Sequence, residues 1–179
     1  MKTIVLAVTG SISAYKAADI TSQLVKAGFE VHVVMSEAAT HFITPLTFEV
    51  LSNHSVTIDV MAEKVAGKVN HIELAKKADL FLVAPASADT IAKLAYGFAD
   101  NSITSIALAL GGDVKKVIAP AMNTKMYENP ITQENISRLK VFGYTEIEPR
   151  TALLACGDLG KGALAEVDKI IESVKGILT

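Results

Sequence analysis

The segment TIVLAVTGSISAYKAADITSQLVKAGFEVHVVM, residues 3–35, decides the fold. Its apolar run at 3–8 is too short to span a bilayer and reads as a buried strand. SAYKAADITSQLVKAG, residues 13–28, predicts a helix ending at Gly28, a residue suited to a helix C-terminus. EVHVVM, residues 30–35, predicts a second strand. Strands that are β-branched and apolar on both faces belong to a parallel sheet covered by helices on each side.

The alternation continues outward. PLTFEVLSN (45–53) predicts a helix, and DLFLVAP (79–85) a strand that Pro85 ends. ADTIAKLAYG (88–97) and NSITSIALAL (101–110) predict helices, and KKVIAP (115–120) another strand. ITQENISRLKVFG (131–143) reads as a helix, TEIE (145–148) as a short strand, and AEVDKIIESVKGIL (165–178) as a closing helix. The fold class is therefore α/β: a doubly wound parallel sheet in a flavodoxin- or Rossmann-like three-layer architecture, with right-handed crossovers. No repeat, linker or low-complexity segment divides the chain, so residues 1–179 are expected to form one domain.

Composition narrows the function. Half of the residues are hydrophobic and the net charge is -2, which excludes a basic nucleic-acid face and an acidic tail. The single cysteine, Cys156, permits no intramolecular disulfide. With no signal peptide in view, a reducing cytosol is the expected compartment. The sequons at Asn53 and Asn135 would matter only in a secreted protein.

In a doubly wound sheet, ligands sit outside the C-terminal strand ends. After the first strand comes TGSISAYK, which lacks the second glycine of a dinucleotide fingerprint. Ser11 and Ser13, at a helix start, suit a compact phosphate, and they equally suit a plain helix cap. Ser36 follows the second strand and has the same two readings. After the third, Ser87, Asp89 and Thr90 crowd a helix start; three polar turns at neighbouring strand ends point to one bridging ligand.

APAMNTKMYENP follows the fourth strand. Its Met122 and Met126 suit core packing, while the Asn123 amide is capable of binding a carboxylate. His71 falls just before or within a short helix, and a single histidine is more often structural than catalytic. His32, His41 and His54 are scattered, without metal-ligand spacing, so zinc and other metals are not expected. LLACGDLGKGALAE, residues 153–166, holds Cys156 among glycines 157, 160 and 162: either a small buried hydrophobe or a reactive thiol on a mobile loop.

Five motifs in order resemble one family. GSIS, NHIEL, PASADT, PAMNTKMY and LACGDLGKG are similar to the first phosphate loop, histidine segment, PASANT motif, P-x-M-N-x-x-M-W motif and cysteine loop of the homo-oligomeric flavin-containing cysteine decarboxylases. The match is best with the free-standing pantothenate-pathway branch. Asp89 stands where PASANT has asparagine, Tyr127 where the family has tryptophan, and Ala163 where many relatives carry arginine.

The resemblance implies FMN held by Gly10, Ser11, Ser36, Ser87, Ala88, Asp89, Thr90 and Ala121. It implies His71 as acceptor of the substrate thiol proton, Asn123 as binder of its carboxylate and Cys156 as final proton donor. Met126 and Ala155 join Asn123 and Cys156 in substrate contact, beneath a covering loop around 150–165. The implied substrate is 4'-phosphopantothenoylcysteine, converted through a thioaldehyde and an enethiol to 4'-phosphopantetheine. Removing CO2 from a cysteine leaves a carbanion without an electron sink, which is why a cofactor is needed. A homo-oligomer, trimer or dodecamer of trimers, is also implied, in the cytoplasm. The synthetase that joins cysteine to the pathway is expected on another chain. Two other readings are an oxidative decarboxylase of peptidyl cysteine, which stops at the enethiol, and a non-catalytic FMN-binding regulatory subunit; retention of the cysteine loop and the catalytic residues argues against both.

Overall fold

The computed structural model describes residues 1–61, 70–155, 157 and 159–179. Five parallel strands form its middle layer: β1 (Thr3–Val8), β2 (Glu30–Met35), β3 (Leu80–Ala86), β4 (Lys115–Pro120) and β5 (Tyr144–Glu146). They lie in the order β2-β1-β3-β4-β5, so the winding direction reverses between β1 and β3. That is the flavodoxin-like order, with its ligand crevice at the reversal. The α/β three-layer class read from the sequence is the one observed.

Both faces of the central strands are covered, and every residue of β1 and β3 is buried. Alternation along β1 sends Ile4, Leu6 and Val8 into one apolar layer, and Val5 and Ala7 into the other. The first layer is closed by α1 (Lys16–Lys26), α3 (Pro45–Ser52) and α9 (Val167–Leu178), through Ile20, Leu24, Phe48, Ile170 and Val174. The second is closed by α4 (Asn70–Lys77), α5 (Ala88–Tyr96), α6 (Ser102–Ala109) and α8 (Pro130–Val141), through Leu74, Ile91, Ile103, Ile136 and Leu139. Each fully buried side chain of this size contributes about 1.5–3 kcal/mol. Among the described residues no helix is long and apolar enough to cross a membrane.

Three local expectations need correction. The helix expected over 13–28 is a 3-10 turn, Ile12–Tyr15, followed by α1, and Gly28 adopts φ +90° just beyond its end. Pro85 lies inside β3 rather than ending it. The register with β4 shifts between Val83 and Ala86, which accommodates a residue without an N–H. The segment around 150–165 is largely an antiparallel hairpin, β6 (Arg150–Leu153) with β7 (Leu159–Ala163), separate from the main sheet.

Candidate functional site

A cavity of about 480 Å³ opens at the C-terminal ends of the strands, where the winding reverses. Its floor comes from the turn after β1. Gly10 is pressed so closely against α2 (Glu37–Thr40) that an added Cβ would sit 2.7 Å from the Ala38 methyl. Ser11 accepts the Ser13 N–H at 3.3 Å and starts the 3-10 turn. The Thr9 hydroxyl, fully buried, donates to the Pro85 carbonyl at 2.6 Å and accepts the Ser87 N–H at 2.9 Å. Ser87 in turn accepts the Thr90 N–H at 3.2 Å and caps α5. Two helix starts thus face one space.

The opposite wall is the segment after β4. Asn123 accepts the Lys125 N–H at 2.8 Å, capping α7 (Thr124–Glu128). With Oδ1 engaged in the cap, the amide's donor half is Nδ2, the group a carboxylate requires. Tyr127 donates to Glu146 at 2.8 Å, and Lys140 pairs with the same carboxylate at 2.7 Å. Burial and that neighbouring carboxylate push the Tyr127 hydroxyl far above its ordinary value. Tyr127 is buried in the second apolar layer and does not line the cavity, so its replacement of tryptophan acts on packing.

The hairpin lines part of the cavity. The Met122 N–H donates to the Gly162 carbonyl at 2.9 Å. A Cβ on Gly162 would collide with the Met122 carbonyl, and one on Gly160 with the Thr124 side chain. These two glycines therefore permit close packing of a strand, not the loop freedom expected of them. Of the three, Gly157 has the left-handed backbone, at φ +88°. Leu153, Leu154 and Ala155 reach the cavity; Cys156 lies outside the described residues.

Of the expected flavin and substrate contacts, the structure brings Gly10, Ser11, Ser87, Ala88, Ala121, Asn123, Met126 and Ala155 to one cavity. Met122 lines it too, so the methionine pair is not simply core packing. Ser36 caps α2 beside it, accepting the Ala39 N–H at 3.2 Å. Thr90 is buried beneath Ser87, and Asp89 faces outward to Lys93, 3.4 Å away. His71 sits on α4, whose helix packs on α6 and β1, and is not part of the lining within one chain.

Sequence reasoning missed Lys16, Phe42 and Arg150, all in the lining. Arg150 pairs across the hairpin with Ala163, and its Nε donates to the Leu164 carbonyl at 3.2 Å and lies 3.0 Å from Glu166. The described lining offers hydroxyls and helix starts, apolar surface from Phe42, Met122 and Leu154, and the cationic side chains of Lys16 and Arg150. It suits a flat apolar group carrying a phosphate.

A family model described as Flavoprotein matches residues 1–179. A probable phosphopantothenoylcysteine decarboxylase of Streptococcus mutans is 61% identical over 174 residues, 97% of each chain. The coenzyme A biosynthesis bifunctional protein CoaBC of Bacillus subtilis is 46% identical over 96% of this chain, which spans 42% of that protein. Among solved structures, a mutant PPC decarboxylase complexed with pantothenoylaminoethenethiol superposes with a TM-score of 0.87 at 34% identity, covering 98% of this chain and 97% of that one. The FMN-binding protein AtHal3 follows at 0.84 and 34%, covering 98% and 96%.

Proposed function

The chain belongs to the flavoprotein family, and from that premise we propose that it is an FMN-dependent decarboxylase acting on 4'-phosphopantothenoylcysteine to give 4'-phosphopantetheine for coenzyme A synthesis. The observation that carries this is the shared cavity: Asn123, Ala155 and the helix starts at Ser11 and Ser87 face the same space. The residues present fit FMN. Gly10 leaves the tight approach at the floor, Ser11 and Ser87 supply the phosphate-binding turns, and Ala88 and Ala121 keep the wall low enough for a flat ring.

Bound FMN supplies a hydride sink and, later, a hydride source for the carbon bearing sulfur. His71 takes the substrate thiol proton, the general-base role in which an imidazole most often serves. Asn123 orients the carboxylate without a fixed positive charge that would stabilise the ground state. Loss of CO2 from the thioaldehyde delivers its electrons to sulfur and leaves an enethiolate. Cys156 then provides the proton at the neighbouring carbon, completing a saturated product. Lys16 and Arg150, the two cationic side chains in the described lining, are the candidates for the substrate phosphate.

The working enzyme is a cytoplasmic homo-oligomer, a trimer or a dodecamer of trimers, in which His71 reaches a cavity from a neighbouring copy. Supporting this, α4 does not line the cavity of its own chain, and Ile12, Tyr15 and Phe42 are exposed apolar residues at the cavity rim. The test is mass spectrometry of the product formed from the substrate by purified protein with FMN and no added reductant. Loss of CO2 alone supports the proposal. Loss of CO2 plus two hydrogens assigns an oxidative reaction that stops at the enethiol, and no turnover with flavin bound assigns a binding subunit.

A further inference from the structure

His32 and His54, twenty-two residues apart in sequence, are neighbours in space. Their rings stack with centroids 4.2 Å apart and 25° between planes. Both converge on one carboxylate oxygen: Glu30 Oε1 lies 2.9 Å from His32 Nε2 and 3.8 Å from His54 Nε2. Folding thus brings together two of the four histidines that the sequence scatters.

We infer that Glu30, His32 and His54 form a binding site for one divalent transition-metal ion of the Zn2+ class. One ligand atom from each lies within 4.8 Å of the others. Ligands at about 2.1 Å in a tetrahedron stand about 3.4 Å apart, a value between the two separations to Glu30. Two imidazoles and a carboxylate are a donor set for Zn2+, leaving a fourth position to water. Thr3 donates its hydroxyl to the other Glu30 oxygen at 3.2 Å, the outer contact that orients a ligating carboxylate. All three side chains are partly buried, so the site is sheltered yet open to an ion.

To ligate one ion the two rings leave their stack, each turning about its side-chain bonds until the two Nε2 lone pairs converge. Where His32 carries its proton on Nε2 toward Glu30, that proton moves to Nδ1, leaving Nε2 to ligate. Glu30 and His32 are alternate residues on one face of β2, at the end of the strand remote from the cavity. His54 lies beyond the end of α3, just before the segment that covers the β2 edge, where Met35 N–H donates to the Thr57 carbonyl and Thr57 N–H to that of Val33. The ion staples this cover to the outermost strand, and its role is structural.

The test uses the FMN-loaded protein with any affinity tag removed. Zn2+ is titrated calorimetrically, and Co2+ is added as a spectroscopic probe of tetrahedral coordination. The expected result is one ion per chain, a rise in Tm of about 5–10 °C at a hundredfold excess over Kd, and affinity lower by at least the roughly 10–100-fold of an outer-shell change in His54→Ala and Glu30→Gln. Decarboxylation by His54→Ala stays at the wild-type rate, and His41→Ala keeps full metal affinity. No uptake by the wild-type protein at about 100 µM Zn2+ overturns the inference. So does unchanged affinity in His54→Ala, which lies in a surface segment and tolerates truncation, or loss of binding in Cys156→Ser, which would put the ion on the thiol.

Discussion

Thr9 and Ser87, seventy-eight residues apart, are joined by one buried hydroxyl that ties the end of β1 to the end of β3. Thr9→Val keeps the shape and leaves the Pro85 carbonyl and the Ser87 N–H without that partner. The expected cost is about 1–3 kcal/mol in urea unfolding, with weaker FMN retention because the α5 start shifts. Stability and FMN affinity equal to wild type would remove the assignment of this hydroxyl.

Gly162→Ala tests the seat of the hairpin. Its Cβ would meet the Met122 carbonyl, so either β7 or the segment carrying Asn123 has to move. Turnover is expected to fall at least tenfold, with a stability loss of about 1–3 kcal/mol. Gly176→Ala is the contrast: it lies in α9 with open space around it, and should gain about 0.5–1 kcal/mol.

Asn123 has two duties that substitution can separate. Asn123→Ser retains a capping oxygen for α7, so stability should stay within about 0.5 kcal/mol of wild type. Loss of the amide donor should still lower kcat/KM roughly a hundredfold, as for removal of one positioned donor. Full activity in this variant would assign Asn123 to the cap alone.

His71→Asn and Cys156→Ser should stop the reaction at different places. The first is expected to release no CO2, because the thiol proton has no acceptor. The second should release CO2 and accumulate the unsaturated enethiol, read as a product two hydrogens lighter than 4'-phosphopantetheine. Normal CO2 release by the first variant, or saturated product from the second, contradicts the role assigned.

Asp79 gives a pH signature. It accepts the Thr3 N–H and the Lys2 ammonium, each at 2.8 Å, and these contacts, Lys2 first, hold its carboxyl below the ordinary value. A depressed folded-state pKa means stability present above the unfolded value and lost as pH falls through the folded one. Asp79→Asn should therefore cost about 1 kcal/mol at pH 7, and the difference should vanish at acid pH, below both values. An equal cost at both extremes would show that the ionised form is not what matters.

The sequence by itself determined the layers. Runs such as TIVLAV are apolar at every position, and period-two alternation divides them between two faces whatever the rest of the chain does. It also determined the loops after each strand, because parallel strands carry those loops to one end of the sheet. What only the tertiary structure decided were relations between residues with no spacing signal. Arg150 stands across from Ala163 through hairpin register, Gly160 and Gly162 serve close packing through the arrival of Met122 and Thr124, and His71 falls outside its own chain's cavity through the path of α4. His32 meets His54 for the same reason: the segment after α3 runs beside the β2 edge. Local pattern reports which face a residue takes, because that depends on backbone geometry within a few residues. Which distant residue it meets depends on how separate elements pack, and no local period encodes that.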